Sequence, residues 1–132
     1  MKKKSKAVNH VRIGLIQMAC SPRPGKNLEK AVSQIKIAAA KGAKIICLQE
    51  LFNTLYFCQT QNIRNFDLAQ PVPGPVTDTF CDLARSEKIT IIAPFFERAA
   101  KGVYYNSAVV ISDGGRKIGK YRKMHIPDDP GF

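Results

Sequence analysis

No stretch of the 132 residues approaches the ~18 uninterrupted apolar positions that a membrane helix requires. The longest clean runs are as short as Ile45-Ile46-Cys47-Leu48 and Ala108-Val109-Val110-Ile111, which excludes a transmembrane helix. No period repeats, and the nine Gly and eight Pro are scattered, so collagen-like, linker-type and solenoid architectures are excluded too. No C-x-x-C pair occurs among Cys20, Cys47, Cys58 and Cys81, and no disulfide-dense framework is visible; a reducing cytoplasm is the expected setting. Histidine is scarce: His10 and His125 stand far apart without ligand spacing, so no metal site is expected. The Lys-rich residues 2–6 resemble the start of an export signal, but Asn9, His10, Arg12 and Gln17 interrupt the apolar segment such a signal needs.

What is present suits one globular domain: 45% hydrophobic and 23% charged residues give enough apolar material for one core, not two. Residues 1–10 read as a basic tail and 11–132 as the domain. The formal charge is +11, and removing Lys2, Lys3, Lys4 and Lys6 leaves +7. That excess is spread along the chain and lacks the interleaved aromatics of a base-stacking surface, so neither nucleic acid nor a membrane is an expected partner.

The run Val11 to Met18 reads as a strand stopped by Ser21-Pro22-Arg23-Pro24-Gly25. From Asn27 to about Lys41 the apolar residues fall at helical spacing, with Asn27 as the cap and Gly42 as the left-handed end. Ala43 to Leu48 is too short for a helix and predicts a strand covered on both faces. Residues 53–72 predict an irregular excursion with a short helix. Pro73-Gly74-Pro75 opens a second helix, Ile89 to Ala93 gives a strand closed by Pro94, and Tyr104 to Ile111 returns through Asp113-Gly114-Gly115 to Arg116–Arg122. The order predicts an α/β fold with a mixed sheet, one side of which lacks cover, ending in a Pro-rich loop.

Glu50 is the first candidate for chemistry, because a buried strand delivers it to the carboxyl end of the sheet, where open α/β folds place ligands. Desolvation or a nearby cation would tune it for proton transfer; the competing reading is an ordinary ion pair or helix cap. Lys123 ends the last strand and offers a compact charge for an oxyanion, or else continues the solvated basic face of Arg116, Lys117 and Lys120. The cysteines offer no persuasive nucleophile. Cys47 sits an odd offset from Glu50 and points to the opposite face of a regular strand, Cys81 has no neighbouring base, and Cys20 and Cys58 lie near loops.

Three separated segments carry a resemblance: Val11-Arg12-Ile13-Gly14-Leu15-Ile16-Gln17-Met18, Cys47-Leu48-Gln49-Glu50-Leu51-Phe52, and Tyr104-Tyr105-Asn106-Ser107-Ala108 leading to Gly119 through Pro127. Together they resemble the carbon-nitrogen hydrolase (nitrilase) superfamily. Gln49-Glu50-Leu51-Phe52 with Tyr56-Phe57-Cys58, and Lys123 through Phe132, are most similar to its N-carbamoylputrescine amidase branch. The resemblance implies a four-layer α-β-β-α sandwich, of which 11–132 would be the N-terminal portion. It also implies a Glu-Lys-Cys triad acting on a small ureido or amide substrate, with no metal or organic cofactor needed. Glu50 corresponds to the general base and Lys123 to the cation that stabilises the tetrahedral oxyanion. The leaving nitrogen takes the proton held by Glu50, and water releases the carbamoyl group as carbon dioxide and ammonia.

The nucleophilic Cys that the family places after the lysine motif has no counterpart in these residues, nor does a further glutamate, so the chain alone is expected to be inactive. A truncated or split gene product, or a deliberately partial chain, is the expected reason, the implied partner being a complementary C-terminal half or another copy of the chain. The rival reading is a non-catalytic half-domain that pairs with a partner chain. Asp128 and Asp129 attract the ammonium end of a diamine-derived substrate, or serve as turn residues before Pro130.

Overall fold

Strand β1 (Ile13–Ile16) grows from the β-branched run and gives way before the prolines that start α1 (Pro24–Ala40). The computed structural model describes residues 10–126. The basic tail up to residue 9 and the Pro-rich loop with Asp128 and Asp129 therefore lie outside the described residues. Helix α1 begins earlier than the Asn27 cap expected from sequence, because Pro24 occupies the first turn with its φ already set and no N–H to satisfy. Asn27 is instead buried inside the helix. Its Oδ1 accepts from Ser21 N at 2.7 Å, and its Nδ2 donates to Ser21 O at 2.8 Å and to Asn53 O at 3.1 Å. Gly42, at φ 87°, ends the helix as expected.

β2 (Ile45–Leu48) follows, then a 3-10 turn (Ile63–Leu68) inside the irregular excursion, then α2 (Pro75–Glu87). Strands β3 (Thr90–Ala100), β4 (Val103–Ile111) and β5 (Lys117–Arg122) complete one sheet of order β1-β2-β3-β4-β5. β1, β2 and β3 run parallel through the two helical crossovers, and β3, β4 and β5 form an antiparallel meander. The α/β class with a mixed sheet is thus observed. Of the four layers of an α-β-β-α sandwich, the described residues form two, one sheet and one helical layer.

Both helices lie on the same face. Ile35 and Ala31 of α1 and Phe80 and Leu83 of α2 pack on Ile46, Ile91, Phe95, Val109 and Ile111 of the sheet. The opposite face is open at β1, where Ile13 is 59% and Leu15 80% exposed. This corrects the expectation that β2 is covered on both faces: Ile46 and Leu48 are buried, whereas Ile45 and Cys47, which point the other way, are only half-buried.

Pro94 does not close β3, which runs on to Ala100. Phe96 O and Arg98 N, two and four residues on, both bond Gln70 on the side away from β4. By alternation Pro94 faces that side too, beyond Ile92, the last residue paired with β2, so its missing N–H interrupts no ladder.

The extension of β3 carries Glu97, whose side chain is fully buried. Its Oε1 accepts from Lys120 Nζ at 2.7 Å and Arg122 Nη2 at 2.8 Å, and its Oε2 accepts from Ser107 Oγ at 2.5 Å and Arg122 Nε at 3.0 Å. Burial alone would raise the proton affinity of this carboxyl; the hydrogen bonds from Arg122, Lys120 and Ser107 outweigh it and bring its pKa down to about 2. A carboxylate held below its unfolded value stabilises the fold above that value, and the contribution fades as pH falls through the folded one. Urea unfolding at several pH values should therefore show Glu97→Gln less stable than the parent by about 1–2 kcal/mol at pH 7, with the gap closing between pH 5 and pH 2. We expect less than the ~3 kcal/mol of the full shift because water screens the cations. A gap that is constant across this range would refute the assignment.

Candidate active site

Beyond Leu48 the chain leaves β2 and turns sharply. Leu51 sits at φ 53°, a left-handed conformation costing a side-chain-bearing residue about 1 kcal/mol, and tertiary contacts hold it there. Phe52 is fully buried, with its ring 5.5 Å from Phe80 and 5.6 Å from Phe95. Asn27 grips Asn53 O, and Gln49 Oε1 accepts from Met18 N at 2.6 Å. The turn is thereby tied to α1, α2 and the segment after β1, and Glu50 stands at its exposed crest.

Lys123 follows β5 directly, and its backbone N donates to Asn106 O at 2.8 Å. Its Nζ lies 3.2 Å from Glu50 Oε1, and Asn106 Nδ2 donates to the same oxygen at 2.7 Å. The structure thus brings together the two residues singled out from sequence, 73 positions apart. The hydrogen bond from Asn106 is the chief cause holding the Glu50 carboxyl below the usual carboxylate range; partial burial opposes it, and the Lys123 ammonium adds to the lowering. Glu50 is consequently ionised at neutral pH, the state from which a base takes a proton. Its side chain is 50% exposed and that of Lys123 38%, so as an ion pair the two add little to stability.

A cavity of about 320 Å³ opens beside Lys123 and Asn106. Phe57, Phe66, Phe96 and Tyr104 form its wall, with the rings of Phe66 and Tyr104 4.5 Å apart and those of Phe57 and Phe96 4.8 Å apart. Glu50 borders an adjoining hollow of about 270 Å³, and Leu51 lines both. One polar end and one aromatic side suit a small molecule with an amide-like head and an aliphatic body.

Cys58 borders the larger cavity and is exposed; Cys81 is buried in α2, its thiol pushed up mainly by burial. Cys20 donates to Phe52 O at 3.1 Å, and burial raises its pKa as well. Among the described residues no thiol is hydrogen-bonded to Glu50, and no group of three or more His, Cys, Asp or Glu stands ready to hold a metal ion.

Asn106 was given no role from sequence. The signal was there: on β4 it is a lone amide which, apart from Ser107 beside it, stands in an apolar and aromatic run from Val103 to Ile111, facing the side opposite the core. Glu97 was missed because β3 was expected to stop at Pro94.

A single mixed sheet backed by helices, with a carboxylate and an ammonium meeting at its carboxyl end, defines an α/β protein with a polar candidate site at the strand ends. The chain belongs to the carbon-nitrogen hydrolase family, which it matches over residues 12–132. It is 39% identical to an N-carbamoylputrescine amidase of Oryza sativa subsp. japonica over 127 residues, 96% of this chain and 42% of that protein. It is also 39% identical to a citrullinase of Francisella tularensis subsp. tularensis over 124 residues, 93% of this chain and 43% of that protein. The crystal structure of a carbon-nitrogen hydrolase from Helicobacter pylori G27 superimposes with a TM-score of 0.83 at 38% identity, covering 89% of this chain and 41% of that one. The chain therefore spans about two-fifths of the length of these relatives.

The site geometry makes a direct prediction. Removing either partner, by Asn106→Ala or Lys123→Ala, should raise the Glu50 titration midpoint toward the ordinary carboxylate range, read by carboxyl carbon-13 NMR. In Asn106→Ala, protonation of Glu50 on acidification should release Lys123 at a higher pH than in the parent. A midpoint unchanged in both would show that the contacts do not form in solution.

Proposed function

We propose that this chain is the N-terminal portion of an amidohydrolase that cleaves the ureido C–N bond of N-carbamoylputrescine, giving putrescine, carbon dioxide and ammonia. The observation that carries the reading is the convergence of Lys123 Nζ and Asn106 Nδ2 on one oxygen of Glu50, in a chain 39% identical to an N-carbamoylputrescine amidase. The attacking sulfur comes, in this reading, from a cysteine on a polypeptide segment beyond these 132 residues, on the same chain or a partner. A cytoplasmic setting suits that thiol and the free cysteines present here.

Glu50 takes the thiol proton, and the thiolate attacks the ureido carbon. The developing oxyanion is held by the Lys123 ammonium, whose charge matters more as substrate displaces water. Collapse breaks one C–N bond, and the departing amine takes the proton from Glu50. Water gives its proton to Glu50 and attacks the carbamoyl thioester, the C–S bond breaks, Glu50 returns the proton to the sulfur, and the carbamic acid released falls apart to carbon dioxide and ammonia. The net reaction consumes one water and needs no electron donor or acceptor. The aromatic wall accommodates the four-carbon body of the substrate, and Asp128 and Asp129 supply negative charge for its ammonium end. Likeness to a citrullinase supports a second substrate of the same ureido class, one with an amino-acid end.

Ammonia release should be assayed with the chain alone and with the chain mixed with the remaining C-terminal segment of the rice relative, on N-carbamoylputrescine and on citrulline. We expect turnover only in the mixture, higher on N-carbamoylputrescine, and reduced about 10²–10⁴-fold by Glu50→Gln or Lys123→Ala. Turnover by the mixture that survives both substitutions, or a stable complex that hydrolyses neither compound, would defeat the proposal.

A further inference from the structure

Strand β5 presents a difficulty for any site that depends on Lys123. From Lys117 to Tyr121 every residue is exposed, and it is an edge strand with Gly119 in its middle and a bulge in its pairing with β4 between Val110 and Ile111. Burial of an apolar face is what ordinarily fixes strand register, and here that force is weak. A slip of one residue would carry Lys123 to the helix side of the sheet, and Arg122 to the side of Glu50.

We propose that Glu97 is a positioning residue for the Glu50–Lys123 site: it locks the register of β3, β4 and β5 from the helix-side face and so determines where Asn106 and Lys123 emerge on the other. Glu97 bonds Ser107 on β4 and both Lys120 and Arg122 on β5, with Arg122 engaging both carboxylate oxygens. The Arg122 guanidinium also lies 3.9 Å over the Tyr105 ring, which ties it again to β4. On each of the three strands one clamped residue has a site residue as its chain neighbour: Glu97 follows Phe96, Ser107 follows Asn106, and Arg122 precedes Lys123. Alternation sends the two sets to opposite faces. In any shifted register the carboxylate would stay buried without Arg122 and Lys120, which is far more costly than a shifted surface strand. The bearing of this lock on catalysis rests on the reading of Glu50 and Lys123 given above; the lock itself does not.

The test needs no turnover, so its failure is distinct from failure of the amidase reading. Carboxyl carbon-13 NMR of the labelled chain reports the Glu50 midpoint, with the signal assigned by its loss in Glu50→Gln. Among the described residues the ionisable groups beside Glu50 are Lys123, Tyr56 and, across the same hollow, Cys20; the Tyr56 phenol and the Cys20 thiol are both displaced upward, away from the carboxylate range. In Glu97→Gln, with circular dichroism and core methyl shifts native, the Glu50 midpoint should rise toward the ordinary carboxylate range and the Asn106 side-chain amide should exchange faster with water. Ile35→Val, which trims the core at α1, should lower stability while leaving both signals in place. Should Glu97→Gln fail to fold, Arg122→Lys keeps the charge, drops the two-pronged grip and should give the same upward displacement. An unmoved Glu50 midpoint in either folded variant, or an equal displacement in Ile35→Val, would overturn the proposal.

Discussion

A carboxylate that is shut away from water must gather positive charge around itself, and the meander of this sheet is organised around one that does. Glu97 draws Lys120, Arg122 and Ser107 to one face of three strands. Once those four side chains are committed to that face, the residues between them have no choice of direction. Phe96, Asn106 and Lys123 must emerge opposite, where Glu50 waits at the crest of its turn. A one-residue error anywhere in this part of the sheet would remove the cations from the carboxylate and the site from its cavity at the same time.

The same alternation divides the whole molecule. The helix-side face holds the apolar core, with Ile46, Ile91, Phe95, Val109 and Ile111 under α1 and α2. The other face carries Ile13 and Leu15 in the open and, at its carboxyl end, the candidate site. Large apolar side chains left in water on a sheet attract cover. In the reading proposed here, the segment that supplies the nucleophile approaches over this face. Chemistry and packing would then be completed from one direction.

Much of this was legible in the sequence, and the exceptions have physical causes. The β-branched runs, the Gly42 stop and the Asp113-Gly114-Gly115 turn are local signals, and the structure follows them. Glu50 and Lys123 were found because each ends a strand, a position that can be inferred without knowing any long-range contact. Asn27 was misread because Pro24 is a stronger start signal than an amide three residues later, and because the amide was needed to hold Ser21 and Asn53. Pro94 was misread because its cost depends on which neighbour its nitrogen faces, and that is decided by where β2 ends. Asn106 and Glu97 were missed for a deeper reason: a lone amide in an apolar run hints at a role, but the partners of both residues lie on other strands, and no spacing in the chain announces them.

The two carboxylates show how environment assigns work to identical chemistry. Both are held below the ordinary range by hydrogen-bonded partners, yet Glu97 has no exposure and Glu50 is half exposed. Buried and saturated with donors, Glu97 has nowhere to receive a proton and serves the fold. At Glu50 the ion pair is weak enough for water or substrate to displace, while Asn106 and Lys123 keep the carboxylate charged and aimed. A base has to give up one partner at the moment it accepts a proton, and of these two only Glu50 can do so without breaking the sheet.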